Sequence, residues 1–247
     1  MKNIILISAI ALLTALSFSN AKAPHKAHWG YQGKVGPSNW AQLSPEYSGC
    51  TGQNQSPVNL TGFIESDLAP IAFHYEDGGN EIINNGHTVQ VNYDVGSYIT
   101  VDGVQFNLAQ FHFHAPSENH INGKSYPLEA HLVHQDRHGN LAVVAVMFTE
   151  GAENEELAKT WSYMPKHKDE KHALSPALNV SDLLPENRDH YRFNGSLTTP
   201  PCSEGVRWFV MKSSVSASKA QIETFSDVLR HPNNRPLQAI NARSVMQ

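Results

Sequence analysis

Gln110-Phe111-His112-Phe113-His114 alternates polar and aromatic side chains with a period of two. That is the pattern of a half-buried strand, on which Gln110, His112 and His114 share one face and Phe111 and Phe113 the other. A second such segment, Leu128-Glu129-Ala130-His131-Leu132-Val133-His134, begins after a stretch bounded by Pro116 and Pro127. If that stretch joins antiparallel neighbours, His131 sits across one inter-strand spacing from His112 and His114, with Glu129 on its face and His134 on the other. Working outward, residues 88–93, 98–101, 141–148 and 206–211 are rich in Val, Ile and aromatics and read as further strands. Asp102-Gly103 and His138-Gly139-Asn140 read as hairpin connections. Helical periodicity is confined to residues 153–164, closed by Pro165, and 218–230, where Ser218-x-x-Gln221 forms a capping box ahead of Ile222, Phe225, Val228 and Leu229. Sheet dominates.

Composition narrows the function without naming it. The chain has 247 residues, 40% hydrophobic and 17% charged, with a formal net charge of −5. Without an excess of Lys and Arg to neutralise phosphates, nucleic acid or an anionic membrane surface is excluded as an expected partner. No repeat or linker divides the chain, so one domain is expected. The N-terminus differs from the rest: Lys2, an apolar run over residues 4–18, then small residues at Ser19, Ala21 and Ala23 read as a secretory signal peptide, 1–21, with cleavage as late as 23 as the alternative. The run is shorter than the roughly 20 residues of a membrane span. Residues 22–247 would then be the exported domain, and in an oxidising compartment Cys50 and Cys202 are expected to form one bridge. In the chain-entropy model a loop of that length stabilises by about 4–5 kcal/mol.

The outlying number is 14 His. Two imidazoles side by side on a rigid strand form a ligand pair suited to zinc, copper, nickel or iron. A bare His-x-His is more often a pair of half-buried polar residues, and His131 is what shifts the reading. Three His with no fourth protein ligand is the open, tetrahedral zinc arrangement. Gln110 and Glu129, two residues before a ligand and on its face, are placed to accept a free ring N–H and fix its tautomer. His25, His167, His172 and His231 read as surface residues.

The stretches QFHFHAPSE and EAHLVH stand between NNGH (84–87) and SLTTPPCSEGVRW (196–208), with HWGY (28–31), NQSPVNL (54–60) and NNRPLQ (233–238) beyond. In this order and spacing they resemble the alpha-class carbonic anhydrases over essentially the whole chain after the leader. The short chain, the leader and the Cys pair look like the secreted bacterial branch. The resemblance implies a mainly β (α+β) single domain around a large twisted, mostly antiparallel central sheet with a few short peripheral helices. It implies a zinc-dependent lyase that reversibly hydrates carbon dioxide to bicarbonate and a proton by attack of zinc-bound hydroxide, with a side activity on esters. His112, His114 and His131 match its ligands for one Zn2+. Gln110 and Glu129 match the acceptors behind them, and Thr198 and Glu118 match its gatekeeper pair, in which a hydroxyl donates to a carboxylate and so orients the nucleophile. Val133, Val143, Leu197, Val206 and Trp208 match its apolar substrate wall, Thr198 and Thr199 line the pocket, and Tyr31, Asn85 and Gln90 match positions that order cavity water.

His87 matches the family's proton shuttle, a task suited to an imidazole with a pKa of about 6.5; strand parity requires it to sit at an irregular strand edge for Gln90 to share the cavity. Anions and sulfonamides are implied inhibitors and the bacterial periplasm the implied location. Relatives of that branch are often dimers, which makes a homodimer an open expectation, since no exposed apolar patch can be read here. The chain departs from the family at Ala115-Pro116 and in a shorter loop to Glu118, which puts the placement of Glu118 in question. Two rivals exist. His112-x-His114-x-x-x-Glu118 is close to the first cupin motif, with Glu118 as a metal ligand, but the second motif is missing. A non-enzymatic relative would have lost a zinc ligand, and none is lost here.

Overall fold

The computed structural model describes residues 27–247; the expected signal peptide and His25 lie outside them. Thirteen strands are present in that part: β1 (Asn59–Leu60), β2 (Ala72–His74), β3 (Gly79–Asn84), β4 (Val89–Tyr93), β5 (Tyr98–Val101), β6 (Val104–His114), β7 (His120–Ile121), β8 (Leu128–Gln135), β9 (Leu141–Glu150), β10 (Lys171–Leu178), β11 (His190–Ser196), β12 (Glu204–Met211) and β13 (Val215–Ala217). Three α-helices accompany them, α1 (Trp40–Leu43), α2 (Glu155–Ser162) and α3 (Lys219–Leu229). Eleven strands form one sheet in the order β10-β3-β4-β6-β8-β9-β12-β11, with β5 also on β6, β2 on β5 and β13 on β9. β12 and β13 run parallel to β9, and the other pairs in this sheet are antiparallel. The expected mostly antiparallel architecture is therefore observed.

Parity explains where the sheet is dry. Phe111 and Phe113 on β6, Leu132 on β8 and Val144, Val146 and Phe148 on β9 point into one core, closed over by Trp161 and Phe225 from α2 and α3. The alternate residues Val143, Ala145 and Met147 of β9 enter a second core with Val206, Trp208 and Val210. β9 is buried on both faces, which is why its sequence is an unbroken apolar run. Truncating Phe111 or Phe113, both 0% exposed, to Ala would cost about 3–5 kcal/mol.

The predicted helix boundaries shorten by one or two residues at each end, and both caps form. Asn154 Oδ1 accepts the Leu157 N–H. Ser218 Oγ accepts the Gln221 N–H at 3.2 Å while Gln221 Oε1 accepts the Ser218 N–H at 3.0 Å. Seven strands were not anticipated: the short β1, β2, β7 and β13, of two or three residues each, and the longer β3, β10 and β11. Each of the longer three mixes polar and small residues with few apolar ones, and their strand state comes from pairing with neighbours. Among the described residues no helix is long and apolar enough to cross a membrane.

Candidate metal centre and its cavity

β6 and β8 pair antiparallel with His112 directly opposite His131 and His114 opposite Glu129. A register shift between Leu108 and Gln110 precedes the ligand stretch, and the alternation then holds to the end of β6. The three imidazoles converge, with ring centroids 5.0 Å (112–114), 5.4 Å (112–131) and 4.6 Å (114–131) apart. One nitrogen of each lies within 4.8 Å of the others, the one such group of three metal-binding side chains among the described residues.

Each ring sets its other nitrogen beside a fixed partner. His112 Nδ1–H donates to Gln110 Oε1 at 2.8 Å, and His114 Nδ1–H to the Asn233 carbonyl at 2.7 Å. His131 Nε2 lies 2.9 Å from Glu129 Oε1. These contacts leave Nε2 of His112, Nε2 of His114 and Nδ1 of His131 for a ligand, and His114 Nε2 is a buried nitrogen without a hydrogen-bond partner. Burial pushes all three pKa values down, reinforced for His112 and His131 by the neighbouring imidazoles, so the rings are neutral in neutral solution. Three neutral, converging nitrogens with oriented rings fit a tetrahedral zinc ion with one open position.

The carboxylate behind His131 is itself held. Glu129 Oε2 accepts the N–H groups of Glu118 (2.6 Å) and Asn119 (2.9 Å), and Oε1 accepts Asn119 Nδ2–H at 2.8 Å. Beyond Ala115-Pro116, Glu118 Oε2 lies 3.5 Å from His114 Nε2 and 3.9 Å from His131 Nδ1. Its Oε1 accepts the Arg235 N–H at 2.8 Å. Burial raises Glu118 to about 8, while the Thr198 hydroxyl and the Arg235 amide pull the other way. A dication at the three His would favour its ionised form further.

The five residues of the expected apolar wall fall in one cluster: Val143, Val206 and Trp208 are buried and Val133 and Leu197 pack against them, with the Trp208 ring 4.9 Å from His131. Buried Thr198 and half-buried Thr199 lead into a turn closed by the Cys202 N–H on the Thr199 carbonyl at 2.8 Å. Cys202 is bonded to Cys50, with Cα atoms 4.8 Å apart. At the other end of that bridge, a Cβ on Gly49 would come within 2.7 Å of the Pro201 carbonyl, so only glycine lets the two segments meet.

At the opposite side of the cavity the chain leaves β3 through Asn85-Gly86-His87. Gly86 has φ +81°, which a side chain would strain. Asn85 Oδ1 is spent on the N–H groups of His87 and Thr88, both at 2.9 Å, and Gln90 donates to Asn92 Oδ1 at 2.7 Å. Gln90 pairs with His112 and so faces the ligand strand. His87 lies off the strand, as parity requires, with its ring stacked 3.8 Å from Trp29. Burial there, with Lys168, His28 and His231 nearby, lowers its pKa to about 4. Tyr31, half-buried, has its pKa raised by burial and by Glu118. Of the histidines expected at the surface, His167 is exposed, whereas His172 and His231 are half-buried.

Sequence reasoning missed Asn119, Asn233 and Arg235. Arg235 is 3% exposed and donates to Gln55 Oε1, the Ser56 carbonyl and the Cys50 carbonyl, tying the disulfide segment to the amide that holds Glu118. A buried Asn or Arg in an irregular segment has no periodic signature; NNRPLQ was visible only as a motif.

A family model described as eukaryotic-type carbonic anhydrase matches residues 35–247. A carbonic anhydrase of Pectobacterium atrosepticum is 48% identical over 96% of this chain and 98% of its own length, and one of Neisseria gonorrhoeae is 44% identical over 98% and 96%. Among solved structures, the alpha-carbonic anhydrase of Thermovibrio ammonificans in complex with the inhibitor sulfanilamide superposes with a TM-score of 0.89 at 50% identity, covering 90% of this chain and all of that one.

Proposed function

The chain belongs to the eukaryotic-type (alpha) carbonic anhydrase family, and on that premise we propose that it reversibly hydrates carbon dioxide at one zinc ion held by His112, His114 and His131. The observation that carries the reading is that three neutral imidazoles, His112 half-buried and the other two buried, each set one nitrogen beside a fixed partner and turn the other into a common space. When bound, zinc supplies Lewis acidity that brings a coordinated water to a pKa of about 7, a magnitude known for this enzyme class rather than read from these residues.

The chain's own residues supply the rest. Gln110, the Asn233 carbonyl and Glu129 orient the rings. Glu118, held by Arg235 N–H, is the acceptor to which the Thr198 hydroxyl would donate; with its proton spent there, the Thr198 oxygen could only accept from the nucleophile and so aim it. Val133, Val143, Leu197, Val206 and Trp208 offer an apolar waiting place to an apolar gas, with Thr199 beside it. Tyr31, Asn85 and Gln90 would border any water that links the centre to His87. Stacked on Trp29, His87 is too acidic to hold a proton at neutral pH. A ring that swings from that stack into solvent would regain a pKa nearer about 6.5, which suits it to shuttle. All these residues come from one chain, so the chemistry does not depend on a dimer. The leader and the Cys50–Cys202 bridge support export to the periplasm, and the open zinc position supports inhibition by anions and sulfonamides and a side activity on esters.

Stopped-flow hydration of carbon dioxide, before and after dialysis against a strong zinc chelator and with or without a sulfonamide, tests the reading. Activity that vanishes with the metal, returns with zinc and is blocked by the sulfonamide is expected. Activity surviving verified metal removal overturns it.

A further inference from the structure

Asn233 stands where a ladder ends. β4 pairs with β6 at Gln90–His112, Val91–Phe111 and Asn92–Gln110 and goes no further, so the backbone flanking His114 has no strand neighbour on that side. Two side chains take over. Thr88 Oγ donates to the Phe113 carbonyl at 2.6 Å. Asn233, 0% exposed, donates from Nδ2 to the carbonyls of Phe113 (2.9 Å) and His87 (3.0 Å), and its Oδ1 accepts the Ala115 N–H at 2.9 Å. A primary amide has two N–H donors, and both are committed, in directions fixed by the planar group.

We propose that the Asn233 side chain is a positioning residue that locks the turn carrying His87 onto the strand carrying His112 and His114, so that the backbone from which the His87 ring swings and the metal centre keep one relative placement. The role of His87 in this rests on the function proposed above. The physical need is local. His87 must leave the strand to face the cavity mouth, and once the ladder stops no main-chain bond from β6 restrains it. The amide bridging His87 and Phe113 substitutes for the missing rungs. Within a buried site each such bond, broken so as to leave a carbonyl unpaired, carries the desolvation penalty of that group.

Two variants separate positioning from bulk stability. Asn233→Ala keeps the main-chain carbonyl that serves His114 and removes the three side-chain bonds; Asn233→Asp keeps the shape and the acceptor for Ala115 N–H but loses both donors. With zinc loaded, both should lower kcat in weak buffer by about 10-fold, with added imidazole restoring the part lost at His87, and kcat should fall by more than kcat/KM for carbon dioxide. Amide hydrogen exchange of residues 85–89 should quicken in both, with or without activity. Unchanged exchange in that turn together with unchanged buffer dependence in the folded Asp variant overturns the proposal, as does an equal fall in kcat and kcat/KM with exchange unaltered. If the wild type proves not to hydrate carbon dioxide, the proposed function fails, and the exchange measurement still decides whether Asn233 holds the turn. Should the Ala variant not fold, the Asp variant carries the test.

Discussion

His131 and His134 sit three residues apart on one strand, both at most 2% exposed and both with pKa values lowered by burial. Only one belongs to the cavity. His134 faces the other side of the sheet, where Nδ1–H donates to the Ala142 carbonyl at 3.3 Å and Nε2 accepts from the Tyr75 hydroxyl at 2.8 Å. Both its nitrogens are spent inside the protein. His131 sets Nε2 2.9 Å from Glu129 Oε1 and turns Nδ1 toward His112, His114 and Glu118. Burial and a perturbed pKa therefore do not mark the site here. A nitrogen left over after every local partner is counted does.

The sharpest way to break this contrast is to exchange the fates of the two histidines. His131→Ala should reduce carbon dioxide hydration to background and lose zinc, measured by metal content after gel filtration, whereas His134→Ala should retain both. Retained zinc in the first, or lost zinc in the second, would reverse the assignment. Thr198→Ala comes next: with the metal still bound, hydration should fall by about 10²-fold. Glu129→Ala, which leaves His131 in place but frees its second nitrogen, should weaken zinc binding by about 10–100-fold in a competition titration. His87→Ala should slow turnover by about 10-fold in weak buffer only, with imidazole restoring it.

The smallest effect belongs to His134 and appears in stability alone. Its folded pKa is about 4, below the unfolded value of about 6.5, so the unfolded chain takes up the proton first as pH falls. The contribution is full above about pH 6.5, is lost progressively toward pH 4 and changes no further below that. Urea unfolding across that window should show a shallower pH dependence in His134→Gln than in the wild type, by about one proton; an identical slope would place the titration elsewhere.

How much of this was legible in the sequence follows the same division. Period-two alternation placed His112 with His114, opposed His131 to them and sent His134 to the far face, because side-chain parity on a strand is dictated locally. Gln110 and Glu129 were legible for the same reason, two residues before the ligands they serve. The third acceptor was not: His114 donates to a main-chain carbonyl 119 positions away, and any residue type could supply that oxygen. β3, β10 and β11 stayed hidden because their polar residues become strand only through pairing. The acidity of His87 was hidden too, since it arises from burial and from Lys168, His28 and His231, which folding brings near it from distant parts of the chain.

The bridge between Cys50 and Cys202 closes a covalent ring around every zinc ligand, Glu118 and Thr198, while Asn233 and Arg235 stand outside it. During synthesis the ring's contents emerge first and the two residues that brace it emerge last. A chain halted shortly after Cys202 would hold all three imidazoles with the His114 ring unbraced and Glu118 without its amide donor. The ring thus gathers the three imidazoles and Glu118 on one covalent loop, while the two residues that brace it reach it by hydrogen bonds alone.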